Sequence, residues 1–185
     1  MSGILYFDCA SGISGDMTIG ALLDLGADRN KLLRAVESLG IDGYELKFDR
    51  VKKNGIDAFS FDVMLTQHHA AGHHGGEHIK AGHHVGEDGG HGDSGHGHRH
   101  LSDIIDIIDR GRLTPRAAEL SKKMFEIVAA AEAKAHGADI SQVHFHEVGA
   151  VESIIDIVGT AVCIDDLDPE CIIVSALSEG QGYVN

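Results

Sequence analysis

The chain has 185 residues, with 29 acidic and 15 basic side chains, so its formal net charge is −14 when its 14 histidines are neutral. That balance argues against nucleic acid or an anionic membrane surface as the main partner, since both are recognised by basic patches. The N-terminus has no basic leader, and no run of about eighteen apolar residues could span a membrane. Three cysteines without a C-x-x-C pair fit a reducing cytosol. We therefore expect a cytoplasmic protein.

The first forty residues predict a strand followed by two helices. Ile4 to Asp8 is a short apolar run, a small-residue loop follows it, and a helix begins near Asp16 and ends at Gly26. Helical spacing predicts the buried face of this helix as Met17, Ala21, Leu22 and Leu25. A second amphipathic helix ends at Gly40 and carries an apolar face of Leu32, Leu33, Val36 and Leu39.

Two alternating runs then flank Asn54-Gly55, a dipeptide that favours the positive φ angles of a tight turn. The apolar positions of these runs are Tyr44, Leu46, Phe48, Phe59, Phe61, Val63 and Leu65. The pattern predicts a β-hairpin.

The second half predicts three helices and a strand. The first helix has an apolar face in which residues recur at helical spacing, namely Leu101, Ile104, Ile105 and Ile108. Thr114-Pro115 predicts the start of a long helix that ends at Gly137, with an apolar face of Leu120, Met124, Ile127, Val128 and Ala131. A helix from about Val151 to Leu167 should bury Ile154, Ile155, Val158 and Val162, and a buried strand should follow from Cys171 to Ala176. The chain stops soon afterwards, as if cut off.

These elements predict one α/β (or α+β) domain over residues 1–185, in which helices cover a small mixed sheet that includes the hairpin. Residues 67–100 interrupt it. They contain eleven of the 14 histidines and ten of the 24 glycines, and they lack the apolar area needed to fold as a core. We expect this tract to be a disordered insertion. Neutral imidazole is a common metal ligand, so the tract predicts loose binding of a transition metal by His68, His69, His73, His74, His83, His84, His96, His98 and His100.

The loop Phe7–Met17, FDCASGISGDM, is the first candidate site. Ser11, Gly12, Ser14 and Gly15 can bring hydroxyl and backbone donors to a phosphate at the start of the following helix. Asp8 and Asp16 could hold a hard cation beside it. The alternative is that Ser14 or Asp16 merely caps the helix and the glycines form a tight turn, and spacing alone slightly favours it.

The second candidate site is HFHE, residues 144–147. In an extended segment His144 and His146 project from one face, while Phe145 points towards the core. Downstream, Glu152 and Asp156 share one face of a helix. Together with Glu147, these residues predict a site for a first-row divalent metal. The alternative is a solvated acidic helix face with two surface histidines.

Together, FDCASGISGDM, HFHEVGAVESIIDIVG at residues 144–159 and the His-rich tract between them resemble the N-terminal part of the LarC family of nickel-insertion proteins. The resemblance covers nearly the whole chain, although Glu152 stands where the family usually has aspartate.

The resemblance implies insertion of Ni²⁺ into pyridinium-3,5-bisthiocarboxylic acid mononucleotide, which makes the nickel-pincer cofactor of lactate racemase-type enzymes. It implies that CTP is consumed with Mg²⁺ or Mn²⁺, and that CTP binds a C-terminal domain absent from this chain. The loop would suit the mononucleotide, with Asp8 and Asp16 as catalytic acids, and the histidines would deliver nickel. The partners would be the substrate and the C-terminal part of the same enzyme, and a homo-oligomer is compatible with this picture.

Two other classes of function stay open. In the first, the chain is a nickel or zinc storage protein or metallochaperone without catalytic activity, and the tract is its main feature. In the second, it is a hydrolase that uses Asp8 and Asp16 with a metal.

Overall fold

The computed structural model describes residues 3–66, 99–145 and 150–178 and confirms the α/β class. In chain order its elements are β1 (Ile4–Phe7), α1 (Gly15–Asp24), α2 (Arg29–Ser38), β2 (Tyr44–Lys53), β3 (Ile56–Leu65), β4 (Arg99–His100), α3 (Leu101–Arg110), α4 (Pro115–His136), β5 (His144–Phe145), α5 (Val151–Leu167) and β6 (Cys171–Val174). Of the helices that the structure describes, none is both long and apolar enough to cross a membrane.

The described strands form three two-stranded sheets. β1 and β6 are parallel, in register from Ile4 opposite Cys171 to Phe7 opposite Val174. β2 and β3 form the predicted hairpin, and Asn54 and Gly55 adopt φ angles of 51° and 84° at its turn. β4 and β5 pair antiparallel, so the last two residues of the His-rich tract are part of the ordered fold.

Helix α5 lies at the centre and contributes to both apolar clusters of the core. Ile154, Val158 and Val162 pack towards α3 and α4. Ile155 and Cys163 pack towards α1, α2 and the hairpin. A helix that is apolar on nearly every side must be covered on nearly every side, and this explains why α5 organises the other helices. The four core positions predicted for it are buried, as expected.

Helix α1 buries a different face from the one predicted. Ile19, Leu22 and Leu23 enter the core, whereas Met17 and Leu25 are 64% and 63% exposed. The cause is the edge of β3, which lies directly against Gly20. The predicted stripe is apolar, but of its members only Leu22 is buried.

Of two further burial predictions, one holds in part and one is wrong. In α4 the fully inward residues are Ala117, Ser121, Phe125 and Ala129, whereas Ile127 is 63% exposed. Leu120 and Val128 of the predicted face are partly buried against the core. Small residues let α4 approach α5, which rotates the predicted stripe away from the contact. β6 is exposed along its whole length. In the described part of the chain it forms a two-stranded sheet with β1, so one strand edge and its side chains stay uncovered.

The caps of α4 follow the prediction. The Thr114 hydroxyl accepts from Ala117 N at 3.1 Å, and Gly137 adopts a φ of 63°.

Gly20 gives a direct test of how α1 sits on the hairpin. A Cβ at this position would lie 2.7 Å from the carbonyl oxygen of Phe59, which is backbone and cannot move aside easily. We expect Gly20→Ala to lower the free energy of unfolding by about 2 kcal/mol, despite the higher helix propensity of alanine. Urea denaturation measures this. Gly3→Ala, where a Cβ meets open space, is the control and should change stability by less than about 0.5 kcal/mol.

Candidate functional site

The loop between β1 and α1 lies where two parallel strands end. The Cys9 N–H donates to the Ser175 hydroxyl at 2.7 Å, and the Ser178 N–H donates to the Cys9 carbonyl at 3.3 Å. Gly12, at a φ of 87°, donates its N–H to the same carbonyl at 3.0 Å. The loop is therefore fastened to the segment that follows β6. Open α/β folds commonly bind ligands at this carboxyl end of their parallel strands.

Ser14 stands at the N-cap position of α1 but does not cap the helix through its side chain. Its hydroxyl donates instead to the Asp16 carboxylate, and its carbonyl accepts from the Thr18 hydroxyl at 2.6 Å. Asp8 accepts from Ala10 N at 3.2 Å and so shapes the loop. The hydroxyl of Ser14 thus orients an acid at the first turn of α1.

Gly15 brings this first turn against α5. A Cβ at Gly15 would overlap the side chain of Asp156, so glycine is the residue that allows the two helices to come this close. Within the described part of the chain, Asp156 Oδ1 is buried without a hydrogen-bond partner. A buried acceptor without a partner has an energetic cost that a stable fold usually avoids.

The acids around Asp156 affect its ionisation. Burial, and secondarily the charges of Asp16 and Glu152, raise the pKa of the Asp156 carboxyl to about 6. The structure thus brings together the two candidate sites that the sequence presented separately. Asp16 belongs to the first, the motif Phe7–Met17, whereas Glu152 and Asp156 belong to the second. A carboxylate with a pKa near neutrality can accept a proton or bind a metal ion under physiological conditions.

His144 lies in β5 and is exposed, while Phe145 is buried, as predicted. His144 pairs with His100 across β4 and β5, and their ring centroids are 4.0 Å apart. His100 is fixed by its backbone N–H, which donates to Asp103 at 2.8 Å, and by its Nδ1, which lies 3.3 Å from the Val143 carbonyl oxygen. His100 is therefore part of the ordered fold, and its predicted role as a nickel ligand stays a prediction.

This histidine pair was missed in the sequence. The signal that could have revealed it is the spacing of His100 and Asp103, which matches a capping box at the start of α3. Such a box requires an ordered residue at position 100.

Several predicted ligands lie outside the described residues, so the structure does not test them. They are His146 and Glu147 of the second motif and, in the tract, His68, His69, His73, His74, His83, His84, His96 and His98. Within residues 3–66, 99–145 and 150–178, no group of three or more His, Cys, Asp or Glu side chains is arranged to hold a metal ion. Any complete metal site would need a rearrangement of the acids, a bound substrate, or ligands from residues 146–149.

The raised pKa of Asp156 predicts a pH-dependent stability. The folded chain binds this proton more tightly than an unfolded chain, whose aspartate has a pKa near 3.8. The free energy of unfolding should therefore fall as the pH rises from about 4 to about 6. Above that range the destabilisation caused by the ionised Asp156 reaches its full value. We expect Asp156→Asn to stabilise the metal-free chain by about 1 kcal/mol at pH 7, a figure discounted for partial exposure.

Thermal unfolding across pH 3.5 to 8 provides the measurement, and the advantage of Asp156→Asn should disappear below about pH 4. Asp106→Asn, an exposed acid on α3, serves as the control and should leave the pH profile unchanged. An Asp156→Asn variant that is less stable than the parent at pH 7 would show that the carboxylate has a partner in the folded chain.

Comparison with known proteins shows that the chain is similar to nickel insertion proteins. A family model described as "Nickel insertion protein" matches residues 5–185. A protein of Alkaliphilus metalliredigens, named pyridinium-3,5-bisthiocarboxylic acid mononucleotide nickel insertion protein, is 50% identical over 184 residues. Proteins of the same name from Geobacillus kaustophilus and Desulfitobacterium hafniense are 41% and 43% identical.

These matches cover 97% to 100% of the chain but only 42%, 40% and 38% of the three relatives. The chain thus spans about two fifths of the length of the relatives it matches. No solved structure matches it significantly.

Proposed function

The chain belongs to the nickel insertion protein family, and we propose that it forms the nickel-receiving part of an enzyme that inserts Ni²⁺ into pyridinium-3,5-bisthiocarboxylic acid mononucleotide. The names of its relatives support the substrate and the reaction. The observation that carries the proposal is the buried carboxylate oxygen of Asp156 at the junction of α1 and α5, which has no hydrogen-bond partner among the described residues. A fold that keeps this acid beside two others needs a reason, and receiving a divalent cation is one.

In this proposal Asp16, Glu152 and Asp156 contribute ligands to Ni²⁺, and the substrate or residues 146–149 complete its coordination. Oxygen ligands bind nickel less tightly than sulfur, so transfer to the two thiocarboxylates is favourable. Formation of the nickel–carbon bond then replaces a ring C–H bond, and the proton that leaves the carbon needs an acceptor. Once nickel has moved to the sulfur atoms, Asp156 is no longer its ligand and is suited to accept this proton, because the metal-free carboxyl has a pKa of about 6 and is mainly ionised at pH 7.

The histidines act earlier in the sequence of events that we propose. The tract collects Ni²⁺ through many equivalent imidazoles, and the ordered pair His100 and His144 passes it on. His146 and Glu147 follow β5 directly in the chain and precede α5, so they are placed in sequence between the histidine pair and the acids. Imidazole has a high affinity for nickel, which suits collection, whereas the acids suit release.

CTP and its Mg²⁺ or Mn²⁺ ion belong to the same proposal through the family resemblance. The region of the longer relatives that this chain does not match would bind them. The loop residues Ser11, Gly12, Ser14 and Gly15 would then face a phosphate that carries a divalent cation. The cation is needed because the carboxylates near this loop would repel a bare phosphate.

The acids are tested by nickel insertion in the enzyme that carries this chain. We expect Asp156→Asn and Asp16→Asn each to lower the rate at least ~100-fold, since each removes a charge from the reacting centre. Replacing His144 and His146 together by alanine should also abolish insertion. Asp106→Asn and His136→Ala, both on exposed positions of other helices, are the controls. Normal insertion by Asp156→Asn, measured by the mass of the nickel-containing product, would contradict the proposal.

The collector role of the tract is tested by deleting residues 68–98, which spares β4. We expect a higher nickel concentration to be needed for half-maximal insertion, with the maximal rate changed less than about twofold, because the reacting groups stay in place. Insertion is measured against free Ni²⁺ concentration. Complete loss at saturating nickel would show that the tract is part of the reacting centre. A storage protein would instead bind several ions per chain and show no insertion at all.

A further inference from the structure

Helix α1 has a second apolar face that the core does not use. Met17, Ala21 and Leu25 lie one turn apart on the side away from α5 and are exposed. They form one wall of a groove of about 480 Å³, and Val51 and Ala58 of the hairpin line the other. This volume lies within the range of small-molecule sites, about 300 to 1,000 Å³. An exposed apolar stripe that lines a groove is typical of a surface that binds a ligand or a partner.

The groove begins at the acids described above. Asp16 lines it as well as facing Asp156. Arg50 bonds Asp24 in the last turn of α1 at 2.7 Å, whereas Gly20 lies against the Phe59 carbonyl. The Arg50 side chain also pairs with Asp57 at 2.7 Å, two residues nearer the hairpin turn than Phe59. The helix therefore approaches the turn as it passes from Gly20 to Asp24, so it runs antiparallel to β3. The end of the groove at Asp16 is therefore distant from the hairpin turn.

The opposite end of the groove carries a cation. Lys53 lines the groove at the last residue of β2, next to the hairpin turn. Alternation along the strand places Lys53 on the same face as Val51, and places Lys52 on the other face. The groove thus has Asp16 at one end and apolar walls along the helix. At the other end Lys53 lies near Asp24, whose charge is balanced by its ion pair with Arg50. Helix α1 has ten residues, so the two ends are separated by about 15 Å.

We propose that this groove binds the pyridinium mononucleotide substrate, with its ring between α1 and the hairpin and its phosphate at Lys53. The assignment rests on the proposed function, since the ligand is the one named for the relatives. In this orientation the thiocarboxylates of the substrate lie towards Asp16. A metal ion bound there would separate their negative charges from those of the acids. It also places the phosphate of the substrate at Lys53, away from the loop Asp8–Asp16.

The charge pattern explains why this orientation is favoured over the reverse. A phosphate at Asp16 would face three carboxylates, whereas at Lys53 it meets an ammonium group and one carboxylate, that of Asp24, which Arg50 already neutralises. The pyridinium ring is cationic and flat, and Met17 offers it a polarisable thioether at the wall. Apolar walls with charges at the two ends are typical of small-molecule sites that fix the direction of the ligand.

The test uses the chain without nickel and pyridinium-3-carboxylic acid mononucleotide as the probe. Binding is measured by isothermal titration calorimetry. We expect Met17→Glu and Lys53→Glu each to raise the Kd about tenfold or more. Ile127→Glu, at an equally exposed apolar position on α4, and Lys52→Glu, on the opposite face of β2, are matched controls and should change the Kd less than twofold. All four positions are exposed, so the variants should keep the melting temperature of the parent within a few degrees.

The outcomes separate the groove from the function on which it rests. If the probe binds and Met17→Glu and Lys53→Glu bind it as the parent does, the groove assignment is wrong, while the nickel-insertion proposal is unaffected. If the parent chain binds no mononucleotide at millimolar concentration, the groove assignment is wrong. If the enzyme that carries the chain also binds nickel without inserting it into the thiocarboxylate substrate, the proposed function is wrong as well, and a storage function is favoured.

Discussion

The close approach of α1 to α5 is the contact on which the rest of the structure depends. Glycine makes it possible on both helices. Gly15 leaves room for Asp156, and a Cβ at Gly159 would lie 2.8 Å from Ile19 Cδ1. At this distance α1 packs into the core beside α5, and Asp16 in the first turn of α1 lies near the acids of α5. The same approach leaves Asp156 Oδ1 without a hydrogen-bond partner in the part of the chain that the structure describes. Packing and the candidate site therefore have a common cause.

The arrangement of Asp156 is costly for the metal-free fold. Burial and two neighbouring acids act against its charge, and these are the effects that also give it a pKa near neutrality. Groups held in such environments are concentrated at functional sites, because stability there is traded for reactivity. A cation between the acids would reverse the sign of each unfavourable interaction. This reversal is the physical reason for expecting the site to receive a metal ion and to release it to a better ligand.

The sequence predicted the elements of the fold better than their contacts. The turn at Asn54-Gly55, the caps of α4 and the core face of α5 follow from local chemistry or from periodicity, which act within a few residues. The predicted buried face of α1 was wrong and that of α4 was only partly right, because each depends on which element packs against the helix. The prediction that β6 is buried was wrong for a similar reason. Its apolar composition is clear, but what covers it is not a local property.

The candidate site shows the same division. The sequence identified Asp16, Glu152 and Asp156 as acids that hold metal or catalyse, but it placed them in two sites, because about 140 residues separate them and periodicity carries no information at that distance. It placed His100 in the tract, whereas strand pairing brings it to His144. The apolar stripe of α1 was recognised and interpreted as core. It lines a groove because the edge of β3, and not another helix, lies against Gly20.

The central claim is that nickel reaches the junction of α1 and α5. Paramagnetic line broadening by NMR tests it most directly, with Ni²⁺ added in small steps to the chain lacking residues 68–98. The account predicts that the amide signals of Gly15, Asp16 and Asp156 broaden at low nickel, and that Asp156→Asn removes this effect. Broadening confined to His100 and His144, with the signals of Gly15 and Asp156 unchanged at saturating nickel, would contradict it.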